Sequence, residues 1–482
     1  MKEKHDEKIK NSINPTSIIA ILVASAFVAT FNETILNVAL SGIMKEMNVS
    51  AGTVQWLVTA YMIVASVMVP VTAFLIQSFK TKQLFLSALG LLLVGTICAA
   101  FSGSFTMLLI SRIIQSSGTG MMIPIMMNTV LLVSPKEKIG TSMAICVSAI
   151  SLGPAFGPTV AGVILQYFSW HALFIILIPI IAILMIIGKL FLANVGKITK
   201  PKIDYLSIIL STLGLGTIIY GISSVSEGDI KVTLISFIVG IISLIIFVKR
   251  QIVLEEPMLN LSPFKYPKFI IGVILVMVAM MINFTMNVML PMFMEGSLGT
   301  TSFVAALALL PAVICNGIAT PIGGKIYDKV GVKRLIPIGI GIIAIFIFVL
   351  TRSNSETSLI KVIITYVCVC IGVGLTMSPS QTHALNQLPK EYYPHGVAIV
   401  NTFQQVSAAI GSSLFIGIMS AAQIKAIEVQ HVTNEVAVAR GFSSATMVAF
   451  GIAIFGFVLS FAFGQSRNNE KDEKYSLLND NN

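Results

Sequence analysis

The chain has 482 residues, of which 55% are hydrophobic and only 11% are charged. About a quarter of the residues of a soluble domain are charged, so this composition excludes both an ordinary soluble enzyme and a disordered protein. The formal net charge of +10 would suit a nucleic-acid partner, but the positions of the basic residues indicate a membrane instead.

Hydropathy along the chain predicts fourteen membrane-spanning helices, because each apolar run approaches the length of about 20 residues that crosses a bilayer. In chain order the predicted spans are 17–40, 53–76, 84–102, 106–132, 140–166, 170–193, 206–225, 232–248, 269–291, 302–325, 335–350, 360–383, 397–420 and 444–464. The first run is too long for the core of a cleavable signal peptide, and no small-residue cleavage site follows it. We therefore expect it to be the first span.

The basic residues predict the orientation of these spans. With the N-terminus in the cytoplasm, 24 of the 31 Lys and Arg residues fall in cytoplasmic segments, six fall in outer segments, and Arg112 lies within a span. Cytoplasmic loops of membrane proteins carry such an excess, which faces the anionic lipid of the inner leaflet. We therefore predict a multi-pass protein of the cell membrane with both termini in the cytoplasm and no nucleic-acid partner.

Several kinds of chemistry are excluded by motifs that the sequence lacks. None of the three Gly-Lys steps is followed by Ser or Thr, so none forms the phosphate-binding loop of an ATP-driven pump. The five cysteines lie inside apolar runs, which argues against a zinc site and against a disulfide framework. We therefore expect no metal, no cofactor and no enzymatic activity. The energy that drives any transport must then come through the membrane itself or from a partner.

Two charged residues fall well inside predicted spans, Glu33 in the first and Arg112 in the fourth. Both lie about 10 Å below the outer boundary at 1.5 Å per residue, so they can meet directly or through water. Charged groups inside a bilayer are costly and commonly functional, and a buried carboxyl group can bind and release a proton as its surroundings change. One interpretation is therefore a proton-coupling pair; the other is a static ion pair or a snorkelling arginine.

Six segments carry recognisable motifs. They are FNETILNVAL (31–40), QWLVTAY (55–61), RIIQ (112–115) with Gly118, Gly120 and Pro124, GPAFGP (153–158) with Gly162, GKIYDKVGVKR (324–334) and NQLPKEYYPHGVAIVNTFQQ (386–405). In this order, over nearly the whole chain, they resemble the fourteen-span drug:proton antiporter branch of the major facilitator superfamily. That branch includes the quaternary-ammonium and lincomycin efflux pumps.

The resemblance implies an all-α membrane protein with the major-facilitator fold, in which two six-helix bundles are separated by two inserted helices. A degraded copy of the loop motif at 73–82 and the intact copy at 323–334 indicate an internal repeat. The predicted parts are a cytoplasmic tail (1–16), a first bundle (17–193), a linker with two spans (194–268), a second bundle (269–464) and a disordered cytoplasmic tail (465–482).

The resemblance also implies a function, that of a proton-coupled multidrug efflux antiporter. Such a protein exports bulky lipophilic, often cationic, compounds by alternating access. Its partners would be small-molecule substrates, protons and membrane lipid, and we expect a monomer. One alternative is an exporter of a single physiological compound, such as a lipid, a fatty acid or a siderophore. Another is a transport-dead membrane sensor, although a sensor would be expected to carry a soluble output domain.

The motifs assign roles to particular residues. Glu33 and Arg112 would couple protons. A hinge or proton seal in the fifth helix would consist of Gly153, Pro154, Gly157, Pro158 and Gly162. A cytoplasmic latch would consist of Asp328, Gly331, Lys333 and Arg334. Tight helix packing explains any one of these helix glycines equally well, and a solvated basic loop is the other explanation of the latch residues.

A substrate path is predicted at the bundle interface near the bilayer midplane, where transporters of this kind bind their substrates. Polar and aromatic side chains within spans are the candidates to line it. They are Asn32, Asn37, Gln55, Trp56, Tyr61, Asn283, Asn287, Gln381, His383, Asn401, Gln404 and Gln405.

The first-helix motif departs from the family pattern at its acidic residue. The family acid falls on Asn32 by alignment, and this chain has Glu33 beside it. A shift by one residue rotates the acid by about 100° around the helix axis and places it on the face of Asn37, four residues on. Proton coupling with altered geometry and a changed substrate class are both compatible with this shift.

The orientation generates the first prediction. Reporter proteins fused at residues 228 and 430 should read as external. With the N-terminus in the cytoplasm, residue 228 follows seven predicted spans and residue 430 follows thirteen, and an odd number of spans ends outside. The measurement compares a reporter that is active only outside the membrane with one that is active only in the cytoplasm. A cytoplasmic signal at either site would overturn the predicted topology.

Overall fold

The computed structural model describes residues 15–49, 51–195, 198, 204–225, 230–254 and 257–463. Within these ranges the chain forms α-helices and short 3₁₀ turns, and no β-strand occurs there. The main helices are α1 (Pro15–Thr34), α2 (Ala51–Ser78), α3 (Thr81–Ala100), α4 (Phe105–Val133), α5 (Ile139–Leu165), α6 (Leu177–Phe191), α7 (Tyr205–Val225), α8 (Ile230–Val253), α9 (Pro267–Gly296), α10 (Ser302–Val330), α11 (Val332–Thr351), α12 (Leu359–Asn386), α13 (Tyr393–Gln430) and α14 (Asn434–Phe463).

These helices confirm the predicted fold class of an all-α membrane protein. In the described part of the chain, fourteen helices are long and apolar enough to cross a membrane, when α6 is counted together with the short helix His171–Ile175 before it. Nearly all of the predicted N-terminal tail and the whole of the predicted C-terminal tail lie outside the described residues.

The last two helices are much longer than their predicted spans. Helix α13 covers Tyr393–Gln430, whereas hydropathy predicted 397–420, and α14 begins at Asn434 rather than at 444. The added turns contain polar and charged residues. Hydropathy measures the apolar length that fits a bilayer, while backbone hydrogen bonds continue a helix beyond that length.

The first helix is interrupted where the sequence predicted one continuous span over 17–40. Helix α1 ends at Thr34, a 3₁₀ turn occupies Ile35–Ala39, and a short helix follows at Leu40–Glu46. A 3₁₀ turn replaces the hydrogen bonds between residues four apart by bonds between residues three apart, with poorer geometry. The regular backbone bonding of α1 therefore ends just beyond Glu33.

The chain divides into two compact units. The first comprises Met1–Pro263 and Pro389–Ala409, and the second comprises Phe264–Leu388 and Ile410–Asn482. Helix α13 thus contributes its beginning to the first unit and its remainder to the second. The grouping into two six-helix bundles with two inserted helices stays a prediction.

Helix α4 is the most deeply packed helix of the first unit, with 78% of its most apolar window buried. Two glycines make this packing possible. A Cβ atom on Gly118 would lie 2.4 Å from the carbonyl oxygen of Ala88 in α3, and one on Gly120 would lie 2.4 Å from that of Ala65 in α2. Only glycine allows such close backbone approaches, so the small residues after Arg112 bring α2 and α3 against α4.

Helices α7 and α8 form a hairpin in the first unit. Within the hairpin, a Cβ atom on Gly214 would lie 2.5 Å from the Leu244 side chain, and α7 also packs on α2, where Tyr220 stacks on Trp56. Most of the surface of helix α8 is exposed, since only 22% of its most apolar window is buried against described residues.

An ion pair joins the two ends of this hairpin. The Arg250 guanidinium donates to both carboxylate oxygens of Asp204, from Nε at 2.8 Å and from Nη2 at 3.0 Å. These hydrogen bonds lower the pKa of Asp204 from 3.8 to about 2. The Arg250 side chain is 35% exposed, so solvent screens much of the attraction.

In the second unit, aromatic and small residues set the helix contacts. Phe293 of α9 stacks on Phe442 of α14 with ring centroids 4.5 Å apart. A Cβ atom on Gly372 of α12 would lie 2.7 Å from the carbonyl oxygen of Gly339 in α11. The core of this unit is therefore a close-packed helical interior, as expected for helices that associate within lipid.

The Asp204–Arg250 pair generates the second prediction. Asp204→Asn should lower the free energy of unfolding by about 1 kcal/mol at pH 7, which is the upper range for a solvent-screened pair. Because the folded-state pKa lies below the unfolded value, the contribution is present above pH 3.8 and is lost as the pH falls toward 2. Thermal unfolding of the purified protein at a series of pH values measures this.

Lys249→Ala is the matched control for this measurement, since it removes a charge from the residue next to Arg250. The difference between Asp204→Asn and the wild type should shrink on acidification, while Lys249→Ala should stay close to the wild type. Equal stability of Asp204→Asn and the wild type at neutral pH would contradict the prediction.

Candidate functional site

The candidate site is built around Arg112, whose side chain is completely buried in α4. Its guanidinium donates from Nη1 to the carbonyl oxygen of Asn32 at 3.0 Å and from Nη2 to that of Glu33 at 2.9 Å. Its Nε donates to the carbonyl oxygen of Leu57 in α2 at 3.4 Å, and Nη1 also donates to Gln115 Oε1 at 3.1 Å. The planar fork of an arginine suits two adjacent acceptors, which a lysine cannot match.

The two α1 carbonyls lie where the regular helix ends. Carbonyls at the C-terminal end of a helix carry partial negative charge and lack their normal partners when the hydrogen-bonding pattern changes. Arg112 supplies both a donor and a positive charge at this point, directly before the 3₁₀ turn Ile35–Ala39. The interruption of α1 and the buried charge of α4 therefore stabilise each other.

Tyr61 supports the same guanidinium from the α2 side. Its ring lies under Arg112 with 4.0 Å from the guanidinium carbon to the ring centroid, a cation–π contact in a dry environment. Its hydroxyl shares a hydrogen bond of 2.6 Å with Thr119 Oγ1. On the α3 side, Gln115 Nε2 donates to Thr96 Oγ1 at 3.0 Å. Arg112 is thus held by groups of α1, α2 and α4. Helix α3 supports it indirectly, through the hydrogen bond between Thr96 and Gln115.

Glu33 contributes its backbone to this arrangement rather than its carboxylate. The side chain is half-buried, and in the described chain its carboxylate forms no ion pair with Arg112. The two charges still attract each other electrostatically. The sequence predicted that the side chains of Glu33 and Arg112 could meet. In the structure the guanidinium reaches Glu33 but binds its backbone carbonyl oxygen, and the carboxylate accepts none of the guanidinium's hydrogen bonds.

Asn32, the residue on which the family acid is predicted to fall, is completely buried. Its amide approaches the Tyr61 hydroxyl, but neither amide atom makes a well-formed hydrogen bond within the described residues. A carboxylate at this position would lie among the groups that surround Arg112. The neutral amide leaves the single acid of α1 at Glu33, on a neighbouring face.

Two of the α5 motif glycines pack directly on α1. A Cβ atom on Gly153 would lie 2.0 Å from Thr30 Oγ1, and one on Gly157 would lie 2.3 Å from Thr34 Oγ1. Thr34 Oγ1 also donates to the carbonyl oxygen of Pro154 at 3.2 Å. These glycines are required for the close approach of α5 to α1 on both sides of Glu33.

The remaining α5 motif residues differ from these two. A Cβ atom on Gly162 would meet nothing within 4 Å, so close packing does not require glycine there. The side chain of Pro158 lies outside the described residues. The proposed hinge therefore has direct structural contacts only around Gly153, Pro154 and Gly157.

The predicted path residues are distributed over both units. In the first unit Asn37 and Trp56 are exposed, Asn401 and Gln404 are buried, Gln405 is half-buried, and the Gln55 side chain is not among those described. In the second unit Asn287 Nδ2 donates to the carbonyl oxygen of Asn283 at 2.8 Å, Gln381 is buried, and His383 packs between Tyr327 and Phe463. Among the described side chains of this set, Asn32 and Tyr61 are those that lie against Arg112.

The predicted latch residues surround the junction of α10 and α11. Gly331 joins the helices with a φ of +75°, a conformation that favours glycine, and Lys333 and Arg334 are exposed in the first turn of α11. Asp328 lies half-buried at the end of α10, and the neighbouring Tyr327 hydroxyl accepts a hydrogen bond of 3.3 Å from Asn386 Nδ2. In the described part of the chain, no group of three or more His, Cys, Asp or Glu residues could hold a metal ion.

Sequence reasoning missed the Leu57 carbonyl that accepts from Arg112 and two threonines that bond to its neighbours Gln115 and Tyr61. The threonines are Thr96 and Thr119, whereas Gln115 belonged to a quoted motif. Residues 115, 116 and 119 follow Arg112 at helical spacing, so a polar stripe on α4 was a readable signal. The backbone acceptors had no sequence signal, because carbonyl groups are present at every residue.

The site generates the third prediction. Arg112→Lys keeps the charge but cannot bind the two α1 carbonyls in parallel, so we expect a loss of about 2 kcal/mol in stability and weakened transport. The exposed Arg352, which lies over Phe348 at 5.4 Å, provides the control Arg352→Lys, and it should change neither property. Wild-type stability and efflux in Arg112→Ala would show that the buried charge is dispensable.

Comparison with known proteins supports the assignment of the fold and family. The family model described as Major Facilitator Superfamily matches residues 22–412. The lincomycin resistance protein LmrB of Bacillus subtilis (strain 168) is 41% identical over 410 residues, covering 84% of this chain and 86% of that protein. The lincomycin resistance protein LmrB of Listeria monocytogenes is 39% identical over 413 residues, covering 85% of this chain and 88% of that protein.

A solved structure of a distant relative agrees with this assignment. The proton:xylose symporter XylE superposes with a TM-score of 0.67 at 14% sequence identity, over 94% of this chain and 96% of the other. Identity at this level shows a shared fold only. With the family match and the fourteen apolar helices, it follows that this chain is a multi-pass membrane protein and belongs to the major facilitator superfamily of transporters.

Proposed function

We propose that the protein is a proton-coupled multidrug efflux antiporter. It exports bulky lipophilic, often cationic, compounds by alternating access and takes up protons in exchange. Glu33 carries the proton, and Arg112 holds the surrounding helices in register. The observation on which this rests is that the guanidinium of Arg112 binds the α1 carbonyls of Asn32 and Glu33, so the Glu33 carboxyl group is not locked in an ion pair.

The arrangement permits Glu33 to change its charge at low cost to the structure. When the carboxyl group is protonated, Arg112 keeps its four hydrogen-bond acceptors, because none of them belongs to the carboxylate. When the proton leaves, the nearby guanidinium attracts the carboxylate and offsets part of its desolvation. A static salt bridge would instead resist protonation, because neutralising the carboxylate leaves the buried guanidinium without its hydrogen-bonded counter-ion.

The names of the relatives support drug efflux in particular. Two relatives with 41% and 39% identity are called lincomycin resistance proteins, and both align over more than four fifths of this chain. Export of a compound across the membrane is the common way in which a transporter confers resistance. Half-buried and exposed side chains of α2, α13 and the 3₁₀ turn after α1, such as Trp56, Gln405 and Asn37, would supply adaptable contacts to the drug.

The remaining assignments complete the proposal. The protein lies in the cell membrane as a monomer with both termini in the cytoplasm. Gly153 and Gly157 of α5 act as a hinge at which α1 and α5 move while their close packing blocks protons. The residues around Asp328 and Gly331 act as a cytoplasmic latch. The membrane potential contributes about 2.3 kcal/mol per charge at 100 mV, or roughly 50-fold accumulation for a step that moves one net charge.

Glu33→Gln is the variant that tests the coupling. It keeps the shape of the side chain and the backbone carbonyl that Arg112 binds, but it cannot titrate. We expect a folded protein that still binds drug, with no gradient-driven transport and no drug-induced proton release in proteoliposomes. Glu33→Asp should keep partial activity, because it keeps a carboxyl group one bond shorter.

Two further variants sharpen the outcome. Glu428→Gln removes an exposed acid from α13 and should transport like the wild type. Adding Asn32→Asp to Glu33→Gln moves the acid to the position of the family acid and should restore part of the coupling. If Glu33→Gln keeps wild-type proton release and uptake, the coupling carboxyl lies elsewhere.

A further inference from the structure

The end of the first unit beyond Glu33 is closed by three segments that hydrogen bonds and ring stacking hold together. The short helix Leu40–Glu46 follows the interruption of α1, and Trp170 Nε1 donates to the Glu46 carboxylate at 2.8 Å. The Trp170 ring is 4% exposed and stacks on His171 with ring centroids 3.6 Å apart. His171 Nε2 in turn lies 3.3 Å from the carbonyl oxygen of Ser102, at the end of α3.

An apolar cluster lies beneath this closure. It contains buried side chains from the 3₁₀ turn and the short helix that follow α1, from helices α2 to α5, and from residues 170–174: Ile35, Leu36, Ala39, Ile43, Val54, Leu57, Ala99, Ala100, Leu108, Ala161, Trp170, Leu173 and Phe174. Trp170 is therefore part of the apolar cluster and also donates a hydrogen bond to Glu46. The only polar atoms that these side chains contribute are those of the indole ring.

The cluster adjoins the candidate proton site directly. Leu108 lies one helical turn from Arg112 in α4, and Leu36 lies three residues after Glu33. Leu57 belongs to the cluster through its side chain, while its carbonyl oxygen accepts from Arg112. Buried apolar side chains thus lie between the guanidinium of Arg112 and the predicted external end of the first six helices.

We propose that the Glu46–Trp170 hydrogen bond locks an outer seal, formed by the helix Leu40–Glu46 and the cluster beneath it, which denies external protons a route through the first six helices to Glu33. This inference rests on the proposed function, because a proton carrier must not be open to both sides at once. Glu46 and Trp170 are positioning residues of that seal. Protons then reach Glu33 only by the route that opens during the transport cycle.

The chemistry of the lock explains why these two residues are used. An indole N–H is a single donor attached to a large apolar surface, so one residue both fills the cluster and makes the polar contact. A carboxylate is a strong acceptor for such a donor, and a hydrogen bond to a charged group is stronger than one between neutral groups. Removing the donor while keeping an aromatic ring therefore tests the lock without emptying the cluster.

The experiment measures proton leak without drug, in proteoliposomes that contain a pH-sensitive dye and are exposed to an acidic exterior under a clamped membrane potential. Trp170→Phe removes the N–H donor, and Glu46→Leu removes the acceptor. We expect the leak to rise about tenfold in each, which corresponds to about 1.4 kcal/mol in favour of the open seal. Glu46→Gln keeps an acceptor oxygen and should leak close to the wild-type rate.

Two controls make the result decisive. Phe442→Leu reduces a buried aromatic side chain in the second unit and should not leak, since it lies outside the seal. Glu33→Gln combined with Trp170→Phe should abolish the leak, because the route passes through Glu33. Hydrogen exchange of the backbone at residues 35–46 should become faster in Trp170→Phe and in Glu46→Leu, and this readout requires no transport.

Several outcomes would overturn the seal. These are a wild-type leak in folded Trp170→Phe or Glu46→Leu, an equal leak in Phe442→Leu, a leak that persists in the double variant, and unchanged exchange at 35–46. A failure of the proposed function looks different, because the wild type would then release no protons on adding drug, whatever Trp170→Phe and Glu46→Leu do. If Trp170→Phe does not fold, Glu46→Leu tests the same hydrogen bond from the other side.

Discussion

The burial of one positive charge, that of Arg112, constrains the first unit of this protein more than any other feature. A guanidinium inside a membrane protein needs acceptors for most of its donors, because an unpaired buried charge costs several kcal/mol. Here the acceptors are mainly backbone carbonyls, two of them at the interrupted end of α1 and one in α2. The positions of three helices are therefore tied to a single side chain.

Other features of the unit follow from this constraint. The glycines after Arg112 bring α2 and α3 close enough to surround the guanidinium, and Gly153 and Gly157 bring α5 against the same part of α1. The 3₁₀ turn of α1 leaves the carbonyls of Asn32 and Glu33 available to Arg112. The helix Leu40–Glu46 then continues from that turn to cover the apolar cluster next to the site.

Much of the fold was predictable from the sequence, and the reason is physical. Apolar runs of bilayer length are required by the lipid itself, so the fourteen helices could be counted before the structure was known. The rise of a helix places Glu33 and Arg112 at similar depths in their predicted spans, and that depth stays a prediction. The interruption of α1 was not predictable, because Ile35–Ala39 is as apolar as the segments on either side.

The details of the site also went beyond the sequence. An acid and a base at equal depth suggested a side-chain pair, but the carbonyl groups that bind Arg112 have no residue type by which they could be recognised. The same limit applies to the glycines, since Gly153 and Gly157 touch α1 while Gly162 of the same motif touches nothing at the position of a Cβ atom. The shift of the acid from residue 32 to 33 was visible, and the structure adds that it moves the acid off the face that surrounds Arg112.

The central claim is that the Glu33 carboxyl group binds and releases a proton while Arg112 stays on the α1 carbonyls. Infrared difference spectroscopy of the reconstituted protein, with and without drug, measures this directly. The account predicts a protonated carboxyl band in the drug-free wild type at acidic external pH, its loss on adding drug, and its absence from Glu33→Gln. A spectrum without such a band, or the same band in Glu33→Gln, would contradict the account.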